Sequence, residues 1–403
     1  MKVLMIAPAC DGEDVGEAWV AAQWARMISE VHDLTLLTTF KRGHTPMSQQ
    51  LPGTKVVEWQ EPPGVGRFER FNSLLQPGYL PFLIRARRWI RKHQGAEQYA
   101  VAHQVVPVAM RYPSPARGLG IPLVMGPVGG SLESPAAFVT EEGETPWWQR
   151  LRRLDRWRIQ HDRALRATYE QAALVVGVAE YVRDFLAHVS IQRFEIMSEI
   201  AVDRLPELPE PTGQGGTVRL LHVGRIVRTK GLRDVIRALD TLRDLNVELD
   251  VVGDGNDRAA CEQLVADLAL ADRVTFHGKV SRDRVDAFYS AADVFVFPSY
   301  REPGGSVVLE AMSYGLPLIV CRRGGPGANV TDECAIRLEA HNPDQLAADC
   351  ADAVRTIVTD PTRRAAMSAA SRRHAAEAHL WSSRLTQMTR YYDEVATQPR
   401  EPS

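Results

Sequence analysis

The sequence predicts an α/β protein built from two doubly wound parallel-sheet units. Three observations carry this. The chain has 403 residues, 45% of them hydrophobic and 24% charged, enough for two or three cores at roughly 150 residues per domain. Short apolar runs alternate with helix-periodic segments through both halves, the pattern of βαβ units whose strands are buried on both faces. The alternation breaks once, over Val202–Gly216, where Pro206, Pro209, Pro211, Gly213, Gly215 and Gly216 give the composition of a linker.

In the first half, Lys2–Pro8 reads as a buried strand that runs into the polar loop Asp11–Glu17. A helix follows over Ala18–Ile28, then a strand over Leu34–Leu37. Further strands are expected at Val56–Trp59, Val101–Val105, Leu123–Met125 and Leu174–Val178. After the linker the pattern restarts: strand Arg219–Val223, helix Leu232–Leu242, strand Glu248–Val252, helix Arg258–Leu268 and strand Val274–His277. Helix Arg282–Ala291, strand Val294–Phe297, helix Val307–Tyr314 and strand Leu318–Cys321 complete it. A last helix, Trp381–Val395, has no strand after it. The expected boundaries are a first domain over 1–205, a linker over 206–217, a second domain over 218–375 and a terminal helix over 376–398. Ligands of such sheets bind at the carboxyl ends of the strands, here expected in the cleft between the units.

Composition narrows the function. A net charge of −2 gives no bulk attraction to nucleic acid. No run of about 18 apolar residues is present to span a membrane. The first apolar run is broken by Pro8 and followed by Asp11, Glu13 and Asp14, which fits a first strand better than an export signal. Cys10, Cys261, Cys321, Cys334 and Cys350 form no CxxC pair, so a reducing compartment without structural zinc is expected, and the cytoplasm is the expected location. Beyond residue 92 the only lysines are Lys230 and Lys279, both beside glycines in loop-like stretches.

The strongest constellation runs from Pro298 to Pro317. A buried strand ends at Pro298, and a loop then carries Glu302, Gly304 and Gly305. Ser306 reads as the N-cap of the next helix, and Glu310 lies inside that helix. Glycines let an anion approach the amides of a helix start. A second constellation runs from Leu220 to Gly231, a strand entering a Gly224–Arg225 turn with Lys230 five residues on. Fixed cations of this kind neutralise a departing diphosphate, arginine as a fork and lysine as a point charge. Taken singly, basic residues after a strand are common in α/β proteins. Glycine loops also follow other strands, at Gly253–Gly255, Gly278–Lys279 and Gly324–Gly327. In the first half the matching places are Gly16, His103 and Gly126–Gly130. There is no D-x-D, no P-loop, no G-x-G-x-x-G after the first strand, no HExxH and no G-x-S-x-G elbow.

With these residues in place, the sequence resembles the retaining GT-B glycosyltransferases of glycosyltransferase family four (glycosyl transferases group 1). The resemblance is strongest over residues 218–320. It rests on Glu302 and Glu310 eight residues apart, on Gly224–Arg225 with Lys230, and on Pro298–Ser299 before them. It implies two Rossmann-like domains, a donor in the cleft and a final helix that crosses back to the first domain. It further implies that Arg225 and Lys230 grip the donor diphosphate and that Glu302 bonds hydroxyls of the transferred sugar. Glu310 would hold the ribose, and the backbone at Gly304, Gly305 and Ser306 would support sugar and phosphate. Gly278, Lys279 and Val280 would meet the base, Gly16 would approach the diphosphate, and His103 would contact the sugar. No metal or other cofactor is implied. Many relatives carry a carboxylate a few residues after the Gly324–Gly325 pair, where this chain has Ala328 and Asn329.

The donor implied is a nucleotide-diphosphate sugar, UDP-linked by default with GDP-mannose as the rival. The acceptor implied is a glycan or a lipid-linked glycan in surface polysaccharide or glycoconjugate synthesis. Two basic, aromatic stretches, Arg67–Lys92 and Trp147–Arg166, fit either a peripheral contact with anionic membrane or ordinary helices with solvated arginines. A sugar-nucleotide epimerase, a nicotinamide oxidoreductase and a non-enzymatic nucleotide-sugar-binding protein are the competing classes. The missing dinucleotide fingerprint counts against the oxidoreductase.

Overall fold

A computed structural model describes residues 1–62, 78–143, 153–207 and 216–397. The chain divides into two α/β units. Unit 1 comprises Met1–Ser131, Trp147–Glu199 and Leu385–Ser403; unit 2 comprises Leu132–Pro146 and Ile200–Arg384. Two features of this division are absent from the sequence reading. A segment of the first half, 132–146, belongs to unit 2, and unit 2 begins at Ile200. Most of the expected linker, 208–215, lies outside the described residues.

Unit 1 is a seven-stranded parallel sheet. Its strands are β1 (Lys2–Ala9), β2 (Asp33–Phe40), β3 (Lys55–Gln60), β4 (Val101–Gln104), β5 (Leu123–Val128), β6 (Leu174–Gly177) and β7 (Phe194–Ile196), in spatial order 3-2-1-4-5-6-7. Unit 2 repeats the plan with β8 (Val218–Val223), β9 (Val247–Val252), β10 (Val274–Gly278), β11 (Val294–Phe297), β12 (Leu318–Cys321) and β13 (Ala335–Leu338), in order 10-9-8-11-12-13. In each sheet the order reverses beside the first strand, between β1 and β4 and between β8 and β11. Loops leaving the carboxyl ends of two such strands diverge and leave a crevice, the usual ligand site of this fold.

The central strands are fully buried, as continuous apolar runs require: β5, β6, β11 and β12 are buried at every position. Helices bury one stripe each. Leu232–Asp240 turns Leu232, Val235, Ile236 and Leu239 onto the core of unit 2. The structure adds β7, β13 and the helices Pro343–Val358 and Pro361–Ala378, which the alternation did not mark. Both helices start with proline and are capped by the Asn342 and Asp360 side chains, a start signal that the sequence carried openly.

Candidate active site

The site residues of unit 2 gather on the loops after β8 and β11, the two strands that flank the crevice. These loops lie in direct contact. Gly231 has φ +80, and a Cβ there would stand 2.4 Å from the Pro298 carbonyl oxygen. The Ser299 hydroxyl donates to the Thr229 carbonyl at 2.9 Å. The turn Arg228–Lys230 is thereby pressed onto the start of the Glu302 loop, and Lys230 Nζ forms an ion pair with Glu302 Oε2. Lys230 is 6% exposed. Burial, with the Arg225 and Arg301 guanidiniums beside it, pulls its ammonium down to about 7, and the Glu302 carboxylate opposes that pull. Arg225 itself is exposed.

The Glu302 loop rests on the short helix Gly324–Ala328. A Cβ at Gly325 would fall 1.8 Å from the Gly304 carbonyl oxygen, and one at Gly324 would fall 2.0 Å from the Glu302 carbonyl oxygen. Only glycine permits this approach. The Gly325 amide donates to the Glu302 carbonyl at 3.0 Å. Ser306 corrects the sequence expectation: it is the first residue of helix Ser306–Ser313, not its cap. The cap is Gly305 at φ +84, which has no side chain to bond the first amides. Left-handed glycine here turns the chain sharply into the helix without a capping side chain, an arrangement suited to an anionic ligand.

Glu310 is held from two sides. The Tyr289 hydroxyl donates to Oε2 at 3.1 Å, and Arg282 Nη1 donates to Oε1 at 2.9 Å. Tyr289 is buried and Arg282 is exposed. Sequence reasoning missed both. A buried tyrosine in an apolar stripe signals only that its hydroxyl needs some partner. Gly224 follows β8 at φ +147. Gly278 ends β10, Lys279 follows it, and Val280 packs on the core cluster around Phe295 and Phe297. His222, near the end of β8, is fully buried; its Nδ1 bonds the Val296 carbonyl at 2.9 Å, and burial lowers it to about 4.

Gly16 and His103 belong to unit 1. Gly16, at φ +68 and exposed, caps helix Glu17–Val31 with open space around it. His103 lies in the interior of unit 1. It is 0% exposed and next to last in β4. Nε2 lies 2.5 Å from the Gly126 carbonyl and Nδ1 2.5 Å from the Tyr392 hydroxyl. A carbonyl only accepts, so Nε2 carries the proton and Nδ1 accepts from Tyr392. Both nitrogens are spent, and burial lowers the ring to about 4. His103 ties the last helix to the sheet of unit 1.

Arg67–Phe71, Trp147, Trp148, Arg150 and Arg152 lie outside the described residues. Within the described parts of those stretches, Leu80, Ile84, Leu154 and Trp157 are exposed among exposed Arg85, Arg88, Arg91, Lys92, Arg156 and Arg163. Several arginines are engaged instead: Arg87 on the Pro115 and Arg117 carbonyls, Arg158 on Asp162 and Arg166 on Glu170. No helix among the described residues is long and apolar enough to cross a membrane.

The comparisons with known proteins match part of the chain to one family and the whole chain to one fold. Residues 207–374 match the model described as glycosyl transferases group 1. Over 163 residues the chain is 35% identical to a D-inositol 3-phosphate glycosyltransferase of Pseudarthrobacter chlorophenolicus, covering 39% of this chain and 38% of that one. Over 156 residues it is 37% identical to LpsD, a lipopolysaccharide core biosynthesis glycosyltransferase of Rhizobium meliloti, covering 37% and 42%. The chain thus spans less than half the length of these relatives. HepE of Anabaena, solved in complex with UDP and glucose, superposes with a TM-score of 0.60 at 16% identity over 98% of this chain and 99% of that one, a likeness of fold. Residues 207–374 therefore resemble the glycosyl transferases group 1, in a chain whose two Rossmann-like units have the fold of GT-B glycosyltransferases.

Proposed function

We propose that the chain is a retaining, metal-independent glycosyltransferase that moves a hexosyl group from a nucleotide-diphosphate sugar to a hydroxyl of a glycan or glycolipid acceptor. The observation that carries this reading is the buried Lys230 ammonium paired with Glu302 at the β8–β11 crevice, next to an uncapped helix start. An incoming diphosphate adds negative charge where Lys230, Arg225 and Arg301 stand near one another. Arg225 and Lys230 take the phosphates, the Gly305 and Ser306 amides support them, Glu302 is released to the sugar hydroxyls, and Glu310 holds the ribose. Gly278, Lys279 and Val280 face the base.

The transfer needs no side-chain nucleophile. The anomeric carbon–phosphate oxygen bond breaks as the acceptor oxygen attacks from the same face. The acceptor's proton passes to the departing phosphate oxygen. The protein's share is to hold the two substrates and to stabilise charge growing on the diphosphate. A UDP-sugar is the favoured donor, with GDP-mannose the rival.

A thermal-shift panel of UDP, GDP, ADP, dTDP and CDP tests the donor. A ligand at about 100 times its Kd adds roughly 2.7 kcal/mol, a shift of several degrees. One clear winner is expected, and a flat panel would overturn the donor site. EDTA should leave transfer intact; full loss that Mg²⁺ or Mn²⁺ restores would contradict metal independence. The exposed apolar residues Leu80, Ile84, Leu154 and Trp157 with their basic neighbours support an acceptor carried on an anionic lipid surface. Co-sedimentation with anionic vesicles at low salt is the expected result, and its absence removes the membrane from the reading.

A further inference from the structure

A buried polar cluster behind the Glu302 loop has no part in the chemistry above. Asn329 ends helix Gly324–Ala328 and is 3% exposed. Its side-chain amide donates to the Gly304 carbonyl at 3.1 Å. Its own carbonyl receives His379 Nε2 at 2.8 Å and His374 Nε2 at 3.2 Å. Behind His379 stands Arg384, whose guanidinium lies 2.7 Å from Nδ1. A guanidinium only donates, so Nδ1 accepts and the proton of His379 sits on Nε2, aimed at Asn329. His379 and Arg384 are 3% and 5% exposed.

The Gly304 carbonyl shares a peptide with the Gly305 amide. In a trans peptide the two point in opposite directions. Holding the carbonyl against Asn329 therefore turns the Gly305 N–H away from Asn329. Glycine on both sides of this peptide, one of them at φ +84, leaves no Cβ to resist a flip. The orientation has to be imposed from outside the loop.

We infer that Asn329 is a positioning residue that locks the Gly304–Gly305 peptide with its N–H toward the donor, and that His379, oriented by Arg384, holds Asn329 in place. The inference rests on the reading of this loop as the donor site. It also gives a reason for an amide at position 329: an ionised carboxylate has no proton to donate and would repel the Gly304 carbonyl. The peptide would turn over and present its oxygen to the phosphates. The charged and titratable groups around Asn329 are His374 on helix Pro361–Ala378, His379 at its end, Arg384 on the last helix, and Glu302 through the Gly304 amide at 3.3 Å. Arg373 and Glu377 act on His374 from its own helix.

The test titrates UDP, GDP and inorganic pyrophosphate into the wild-type chain, N329D and N329L between pH 5.5 and 8.5. Amide hydrogen exchange over residues 302–307 is read alongside, without ligand. At pH 8, N329D should bind the tightest probe about 30- to 100-fold more weakly, the scale of an unsatisfied buried partner. That deficit, taken relative to wild type at each pH, should shrink as the pH falls and the carboxyl regains a proton. N329L should lose about tenfold at every pH, the value of one hydrogen bond. Exchange should rise over 302–307 in both variants and in H379Q, with β8 unchanged. Wild-type affinity and wild-type loop exchange in N329D and N329L would overturn the inference. Should the wild-type chain bind none of the probes, the functional reading fails, and loop exchange alone still decides the role of Asn329.

Discussion

Arg228 and Lys230 sit two residues apart in one turn, and both are buried, at 4% and 6% exposure. Their surroundings are opposite. Arg228 forks onto Asp234 at 2.6 and 2.9 Å and reaches Glu141 at 2.7 Å, so its charge is matched and its pKa is raised. Lys230 has Glu302 on one side, two guanidiniums nearby and a pKa drawn down to about 7. A buried cation with its partners supplied is architecture; one short of negative charge awaits a ligand.

That contrast can be broken at either end. Arg228→Met leaves buried Asp234 with only the longer contact to Arg237 at 3.4 Å, and a loss of about 3 kcal/mol is expected on thermal or urea unfolding. Wild-type stability in this variant would erase the distinction. Lys230→Ala should do the reverse. Turnover should fall about 10²–10³-fold, as for one lost preorganised charge partner, while the Tm stays within a few degrees. Arg225→Ala should lose activity on the same scale, and a near-normal kcat in the purified enzyme would sink that assignment.

The pH dependence sharpens the comparison. A bound diphosphate raises the Lys230 pKa, so donor binding above pH 7 takes up a proton. Affinity should then weaken toward about tenfold per pH unit above 7. Calorimetry in buffers of different ionisation enthalpy reads the uptake directly, and none at pH 8 would contradict it. The smallest effect concerns stability. A lysine whose folded pKa lies below its unfolded value binds fewer protons folded than unfolded between the two, so its burden is full below pH 7 and eases as the pH rises. Lys230→Met should therefore leave Tm unchanged or raise it, and more at pH 6 than at pH 9; the opposite ordering would refute the low pKa.

Much of unit 2 was legible because its signals are local. The apolar runs of β8 and β11 and the Gly224–Arg225 turn each state their geometry within a few residues. Ser306 was misread because serine is a good cap and Gly305 gives no sign that it will adopt φ +84. The partners of His103 were hidden for a different reason. Its place near the carboxyl end of β4 was correct, but the ring's partners, Gly126 and Tyr392, come from distant parts of the chain. Nor does sequence separate Arg228 from Lys230, since the acids that match the former lie at Asp234 and Glu141.

Glu141 belongs to residues 132–146, the segment of the first half that is built into unit 2. Phe138 lies in the core of that unit against Tyr300, Glu142 pairs with Arg301, and the Glu133 carbonyl receives Arg323. A ribosome releases this segment well before the strands it completes. Unit 2 cannot finish its core from its own contiguous stretch. A gene cut at residue 206 would deliver a fragment with the whole Arg225–Lys230–Glu302 constellation, an empty place for an aromatic ring and a buried arginine short of one acid. The family-matched segment is a unit of descent but not a unit of folding, and exchanging donor modules between relatives would require carrying this early segment along.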